Sequence, residues 1–75
     1  MDKKDQLAEL ISNAETSFYN GQLQEAFSLS LSAIKLDENC ADAYQYAANV
    51  CMSLSRYEDA IEYYQKVQIY IMLIT

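Results

Sequence analysis

The chain has 75 residues and a net charge of −6, from five basic and eleven acidic side chains, which makes it one small acidic domain. Apolar residues at 52% and charged ones at 21% exclude a disordered chain, and the negative field excludes nucleic acid, whose phosphates it would repel. With no proline and one glycine there are few breakers, so a few tightly joined helices are favoured over many short strands.

Leu7, Leu10, Ile11, Ala14 and Phe18 recur at spacings of three and four and predict a first amphipathic helix. Asn20-Gly21 breaks the pattern as a turn. Leu23, Ala26, Phe27, Leu31 and Ile34 make the second stripe, ended by the polar Asp37, Glu38 and Asn39. Ala43, Tyr44, Ala47, Ala48, Cys51 and Met52 make the third, and Ser53 to Arg56 turn the chain again. Tyr57, Ala60, Ile61, Tyr64 and Val67 make the fourth. Each link is short, so neighbouring helices run antiparallel and the four form two hairpins. The expected fold class is all-α, with no strands.

Shifted by thirty-four residues, the sequence meets itself. Ala14 falls on Ala48, Gly21 on Ser55, Leu23 on Tyr57, Glu25 on Asp59, Ala26 on Ala60 and Ala33 on Val67; Leu10 falls on Tyr44. One domain of two repeats, about 7–40 and 41–74, is expected. Ala14, Ala26, Ala48 and Ala60 stand where a large side chain would hold two helix axes apart, since axes about 8 Å apart need small residues at the contact. Leu23 and Tyr57 open the second helix of each pair and are expected to plug the hairpin near its turn. Of the seven tyrosines, Tyr44, Tyr57 and Tyr64 fall in the core by register, while Tyr46, Tyr63 and Tyr70 are not placed by it.

This pattern resembles the tetratricopeptide repeat, a family with thirty-four residues and two antiparallel helices per repeat. Tyr44, Ala48, Ser55, Tyr57, Ala60, Tyr64 and Val67 follow its motif in the second repeat; Leu10, Ala14, Gly21, Leu23, Ala26 and Ala33 do so in the first. Ser30 departs from it, standing where a large residue is usual. The family's proline after each pair is replaced by Glu38 and Met72, so the last helix has no stop signal and can run on through Leu73. The resemblance covers about residues 7 to 71 and implies that the hairpins stack as a short right-handed α-solenoid. It also implies a concave groove lined by the first helix of each repeat, at Ala8, Ile11, Glu15, Phe18 and Tyr19 and at Asp42, Gln45, Asn49, Met52 and Ser53. Some members grip a peptide's terminal carboxylate with groove lysines, arginines and asparagines. Ile11, Glu15 and Asp42 stand at such places here and only Asn49 suits, so a peptide or helix with basic and apolar residues is the expected partner.

The chain ends on Ile69 to Thr75, IYIMLIT, six of seven apolar. The matching stretch of the first repeat, KLDEN, is polar. With two repeats and no capping helix, Ile61, Tyr64, Ile71, Leu73 and Ile74 are expected to offer an uncovered surface, and patches of this kind mark interfaces. A homodimer is the first expectation for it. The alternatives are another protein or a missing part of a longer parent, and a packed extension that serves stability alone. The run is far short of the roughly 20 residues that cross a bilayer, so no membrane is expected.

Little chemistry is present. There is no histidine, no nucleotide-binding loop and no clustered metal ligand set, so neither an enzyme nor a cofactor is expected. Glu58, Asp59 and Glu62 cluster at a helix start, where they suit the helix dipole; Asp42 does the same one helix earlier. Cys40 and Cys51, eleven apart, would lie roughly 16 Å apart along one helix. That is beyond the reach of about 7 Å that a disulfide allows. Two free thiols and the absence of a signal peptide suit the reducing cytoplasm. The function expected is a protein-interaction module or scaffold, with a structural end fragment or spacer of a longer repeat protein as the alternative.

Overall fold

Gly21 and Ser55 both have positive φ, 80° and 62°. They stand thirty-four residues apart, and the hydrogen bonds around them repeat as well. The Gly21 N–H donates to the Phe18 carbonyl at 3.1 Å and the Gln22 N–H to the Ser17 carbonyl at 2.8 Å. The Ser55 N–H donates to the Met52 carbonyl at 3.1 Å and the Arg56 N–H to the Cys51 carbonyl at 2.8 Å. A residue in the left-handed region just past the last helical turn, with this pair of bonds, is the stop that uses up orphaned helix carbonyls and reverses the chain. Each hairpin is closed by one.

The computed structural model describes residues 2–74, apart from the side chains of Tyr70 and Ile74. The Ile74 side chain, expected in the self-association surface, therefore lies outside the described residues. Four helices follow one another: α1 (Lys3–Tyr19), α2 (Leu23–Leu36), α3 (Ala41–Ser53) and α4 (Tyr57–Ile74). No strand occurs among the described residues. α1 begins before its first apolar residue because the Asp2 carboxylate caps it, accepting from the Asp5 N–H at 2.9 Å. In the link from α2 to α3 the Asp37 carboxylate accepts from the Asn39 N–H at 3.0 Å. The Tyr44 hydroxyl donates to the Glu38 carbonyl at 2.9 Å and ties that link to α3.

α1 packs on α2, α2 on α3 and α3 on α4, and α1 also reaches α3. α2 meets α4 only through side chains, with the Phe27 and Tyr63 rings 6.3 Å apart and edge-on. The chain is thus a stack of two helical hairpins in two layers, α1 with α3 and α2 with α4. Its extents of 34 × 29 × 17 Å leave room for no third layer.

Ala14, Ala26, Ala48 and Ala60 are all fully buried, as the close approach of the axes requires. Ala33, Ala43 and Ala47 join them, and the largest fully buried side chains are only Val50, Cys51 and Ser30. Several expectations fail here: Met52, Ile61 and Tyr64, given to apolar stripes and in Tyr64's case to the core, are exposed, and so are Leu31 and Tyr57. Leu31 is 40% exposed, and its neighbour Ser30 is buried in its place. Ser30 lies one turn after Ala26 on the contact face, and its hydroxyl donates to the Ala26 carbonyl at 2.8 Å, so the polar group is satisfied without a partner helix. Tyr57 is 56% exposed and plugs nothing, because nothing packs on the side of α4 it occupies. Tyr44 does lie in the core, against Tyr63 at 6.4 Å and under the Lys66 ammonium at 5.7 Å. Ser17 and Val50 are buried outside the predicted stripes, and α3 runs on through Ser53, so its turn is Leu54 to Arg56. Cys40 stands at the N-cap position of α3 without a side-chain capping bond, Cys51 is buried within the helix, and both are free thiols.

The two turns give a paired test. At Gly21 an added Cβ meets nothing within 4 Å, so Gly21→Ala pays for backbone strain alone, about 1 kcal/mol. Ser55→Gly relieves that strain but frees the unfolded chain, leaving a net gain of roughly 0.5 kcal/mol. Urea midpoints should move down for the first and up for the second.

Overpacking gives another. Ala26→Leu and Ala60→Leu each force a buried contact apart and should cost about 1–3 kcal/mol. Unchanged denaturant midpoints would place the helix contacts elsewhere.

Candidate protein-binding site

The thirty-four-residue register pairs Ala8 with Asp42, Ile11 with Gln45, Glu15 with Asn49, Phe18 with Met52 and Tyr19 with Ser53. α1 and α3 lie side by side in one layer and run parallel, so these pairs form two rows along one surface. All of them are exposed except Ile11, Phe18 and Asn49, which are half-buried.

Between the starts of α1 and α3 the surface sinks into an open cleft of about 440 Å³. Leu7, Ala8, Ile11 and Cys40 make an apolar floor. Lys4, Ser12, Glu15 and Asp42 stand around it. The cleft therefore gathers Ala8, Ile11, Glu15 and Asp42 of the groove expected from the sequence. Phe18, Tyr19 and Met52 sit at the other end of the helices beside the turns, with the Phe18 and Tyr19 rings edge-on at 5.5 Å. Gln45 and Asn49 lie along α3 outside the cleft lining.

Two tyrosine hydroxyls strap this surface. Tyr46 of α3 donates to the Glu15 carboxylate of α1 at 2.6 Å, joining the two repeats. Tyr64 of α4 donates to the Asn49 side-chain carbonyl of α3, joining the helices of the second repeat. The bond to Glu15, with partial burial and the Glu15 charge behind it, pushes the Tyr46 phenol up to about 12, because losing the proton would set two anions face to face. Burial foremost, with the nearby Asp42 and Asp37 charges, also raises the Cys40 thiol, so the floor stays neutral at pH 7. The cleft thus offers an apolar base, one ammonium and two carboxylates.

Lys4, Leu7, Ser12, Cys40 and Tyr46 were missed by the sequence reading of the site. Lys4 and Ser12 lie four residues either side of Ala8 and so share its face. Tyr46 falls on Ser12 in the repeat register, which would have placed it on the groove edge. A second hollow, at the α3–α4 turn, is lined by Ser55, Arg56, Tyr57, Glu58 and Asp59, with Arg56 and Asp59 3.9 Å apart. It is a solvated turn with charged walls, and an exposed ion pair of this kind adds little.

α4 carries the other surface. Ile61 is 55% and Tyr64 39% exposed, and Ile69, Ile71, Met72 and Leu73 are exposed beyond them. Helical spacing puts Tyr57, Ile61, Tyr64 and Ile71 on one stripe. Ile69 and Leu73 fall on another side, with Glu62 and Lys66. No helix among the described residues is long and apolar enough to cross a membrane, and no group of three or more possible metal ligands occurs among them.

No protein-family model matches the chain, and no curated protein matches it.

The Tyr46–Glu15 bond can be read by titration. Tyr46 has a folded pKa above the unfolded value of about 10, so the bond's contribution is whole below pH 10 and is lost as pH rises through 12. Tyrosinate absorbance should show the Tyr46 phenol titrating late, beside Tyr63, which burial also raises. Glu15→Gln should bring the Tyr46 phenol back toward 10, and Tyr46→Phe should remove it.

Proposed function

We propose that the chain is a protein-interaction module of the tetratricopeptide kind, working in the cytoplasm. It takes a peptide or helix on the α1–α3 surface and pairs with its own kind through α4. One observation carries the first part: the cleft joins an apolar floor of Leu7, Ala8 and Ile11 to the carboxylates of Glu15 and Asp42. An apolar side chain fits the floor, and a lysine or arginine one turn away from it reaches the acids. The net charge of −6 draws basic segments in from a distance. Repetition supports the family reading: two hairpins share a thirty-four-residue register, a left-handed stop and the turn hydrogen bonds. The exposed stripe on α4 supports self-pairing. The role is binding rather than catalysis, since the side chains around the cleft are suited to holding a ligand and include no activated nucleophile.

Fluorescence anisotropy tests it. A short amphipathic peptide bearing leucine and arginine should bind, and the same peptide with glutamate for arginine should not. The double variant Glu15→Lys/Asp42→Lys should weaken binding by about tenfold or more, and added salt should weaken the wild-type complex. Equal behaviour of both peptides, with the variant folded, would leave the chain a spacer.

A further inference from the structure

The face of α4 that stands open has a covered counterpart in the same molecule. Leu23, Phe27, Ser30 and Ile34 of α2, the helix that packs on α3, are half-buried or buried. Thirty-four residues on, the same places on α4 hold Tyr57, Ile61, Tyr64 and Gln68, and all four are exposed. This side of α4 is therefore shaped to receive a helix.

Three features decide which helix. First, the stripe Tyr57, Ile61, Tyr64, Gln68, Ile71 alternates steps of four and three, the seam of a paired coil. Second, the seam carries isoleucines at equal distances either side of its middle, Ile61 and Ile71. Tyr57 and Ile61 lie at one end, Ile71 and Met72 at the other, with the polar Gln65 and Gln68 between them. A two-fold contact needs this symmetry, because residue i must suit residue j and the reverse. Third, the charges of α4 (Glu58, Asp59, Glu62 and Lys66) all precede Val67. Antiparallel pairing sets each acidic half against an uncharged half; parallel pairing would set acids beside acids. Head-to-tail stacking is disfavoured, because the outer face of α1 that would receive α4 carries exposed Glu9, Asn13 and Thr16, with Leu10 half-buried. Burying those would leave polar groups without partners.

We infer that α4 pairs antiparallel with α4 of a second copy, about a two-fold axis between Tyr64 and Gln68, with Ile61 of each chain on Ile71 of the other. The inference rests on the self-pairing reading above and gives it a face, a direction and a register. At 150–250 Å² for each large side chain, the exposed parts of Tyr57, Ile61, Tyr64, Ile71 and Met72 amount to on the order of 500 Å² per chain. With the glutamines between them this approaches the roughly 800 Å² per partner of a standard interface.

Sedimentation and spin-label distances test it on the whole chain. The wild type should sediment at twice 8.6 kDa. Ile61→Glu should return it to a monomer with its helical signal intact. Gln65→Glu/Gln68→Glu, on exposed sites that cannot disturb the core, should do the same by setting like charges across the axis. A spin label on Glu58→Cys, with Cys40→Ser and Cys51→Ala, should lie about 24 Å or more from its mate, from 1.5 Å per residue over twice eight residues. A wild-type monomer would overturn this pairing together with the self-pairing reading. A dimer that survives both α4 variants, or labels within about 15 Å, would leave self-pairing standing and overturn this interface.

Discussion

Helices can approach closely only where side chains are small, and in this chain alanine sets the approach. Ala14, Ala26, Ala48 and Ala60 lie at the hairpin contacts, fully buried, and Ala33, Ala43 and Ala47 extend them. Close axes give tight packing with little apolar volume between them. The larger residues are left half-covered at the margins: Leu7, Leu10, Phe27 and Ile34 are all only half-buried. A core of this kind holds a thin slab together, and the faces of the slab are set by the bulkier side chains around it.

Those faces differ in chemistry. The outer side of α1 is polar and can meet water. The open side of α4 is apolar along a whole seam. The α1–α3 surface lies between these extremes, with an apolar floor under an acidic edge. α4 is five residues longer than α3 (18 against 13) and starts from the same turn, so its last turns run about 7 Å past the hairpin. The chain there has lost its charges, and Ile71, Met72 and Leu73 stand exposed.

Most of the fold was legible because two periodicities agree, the helical one within each element and the thirty-four-residue one between elements. Gly21 and Ser55 show how deep the agreement goes: a residue without a Cβ and one with a Cβ take the same backbone conformation because the turn requires it. Ser30 and Leu31 show the limit. Hydropathy favours the leucine for the core, but the helix contact lies one position earlier, at the residue in line with Ala26. Tyr57 fails for a different reason: register gives it a core place that only a further helix could close. In the site, the acidic edge at Glu15 and Asp42 was readable from the family pattern. The Tyr46 hydroxyl on Glu15 was not, since a bond between residues thirty-one apart depends on how two repeats tilt.

That strap has a mechanical meaning. The repeats touch through α2 and α3 across the two layers, while within the α1–α3 layer the Tyr46 hydroxyl ties α1 to α3. A cation arriving at Glu15 meets a carboxylate already fixed in place by the phenol. The phenol holds one carboxylate oxygen of Glu15 and leaves the other to the guest, so the strap and the binding edge share one side chain.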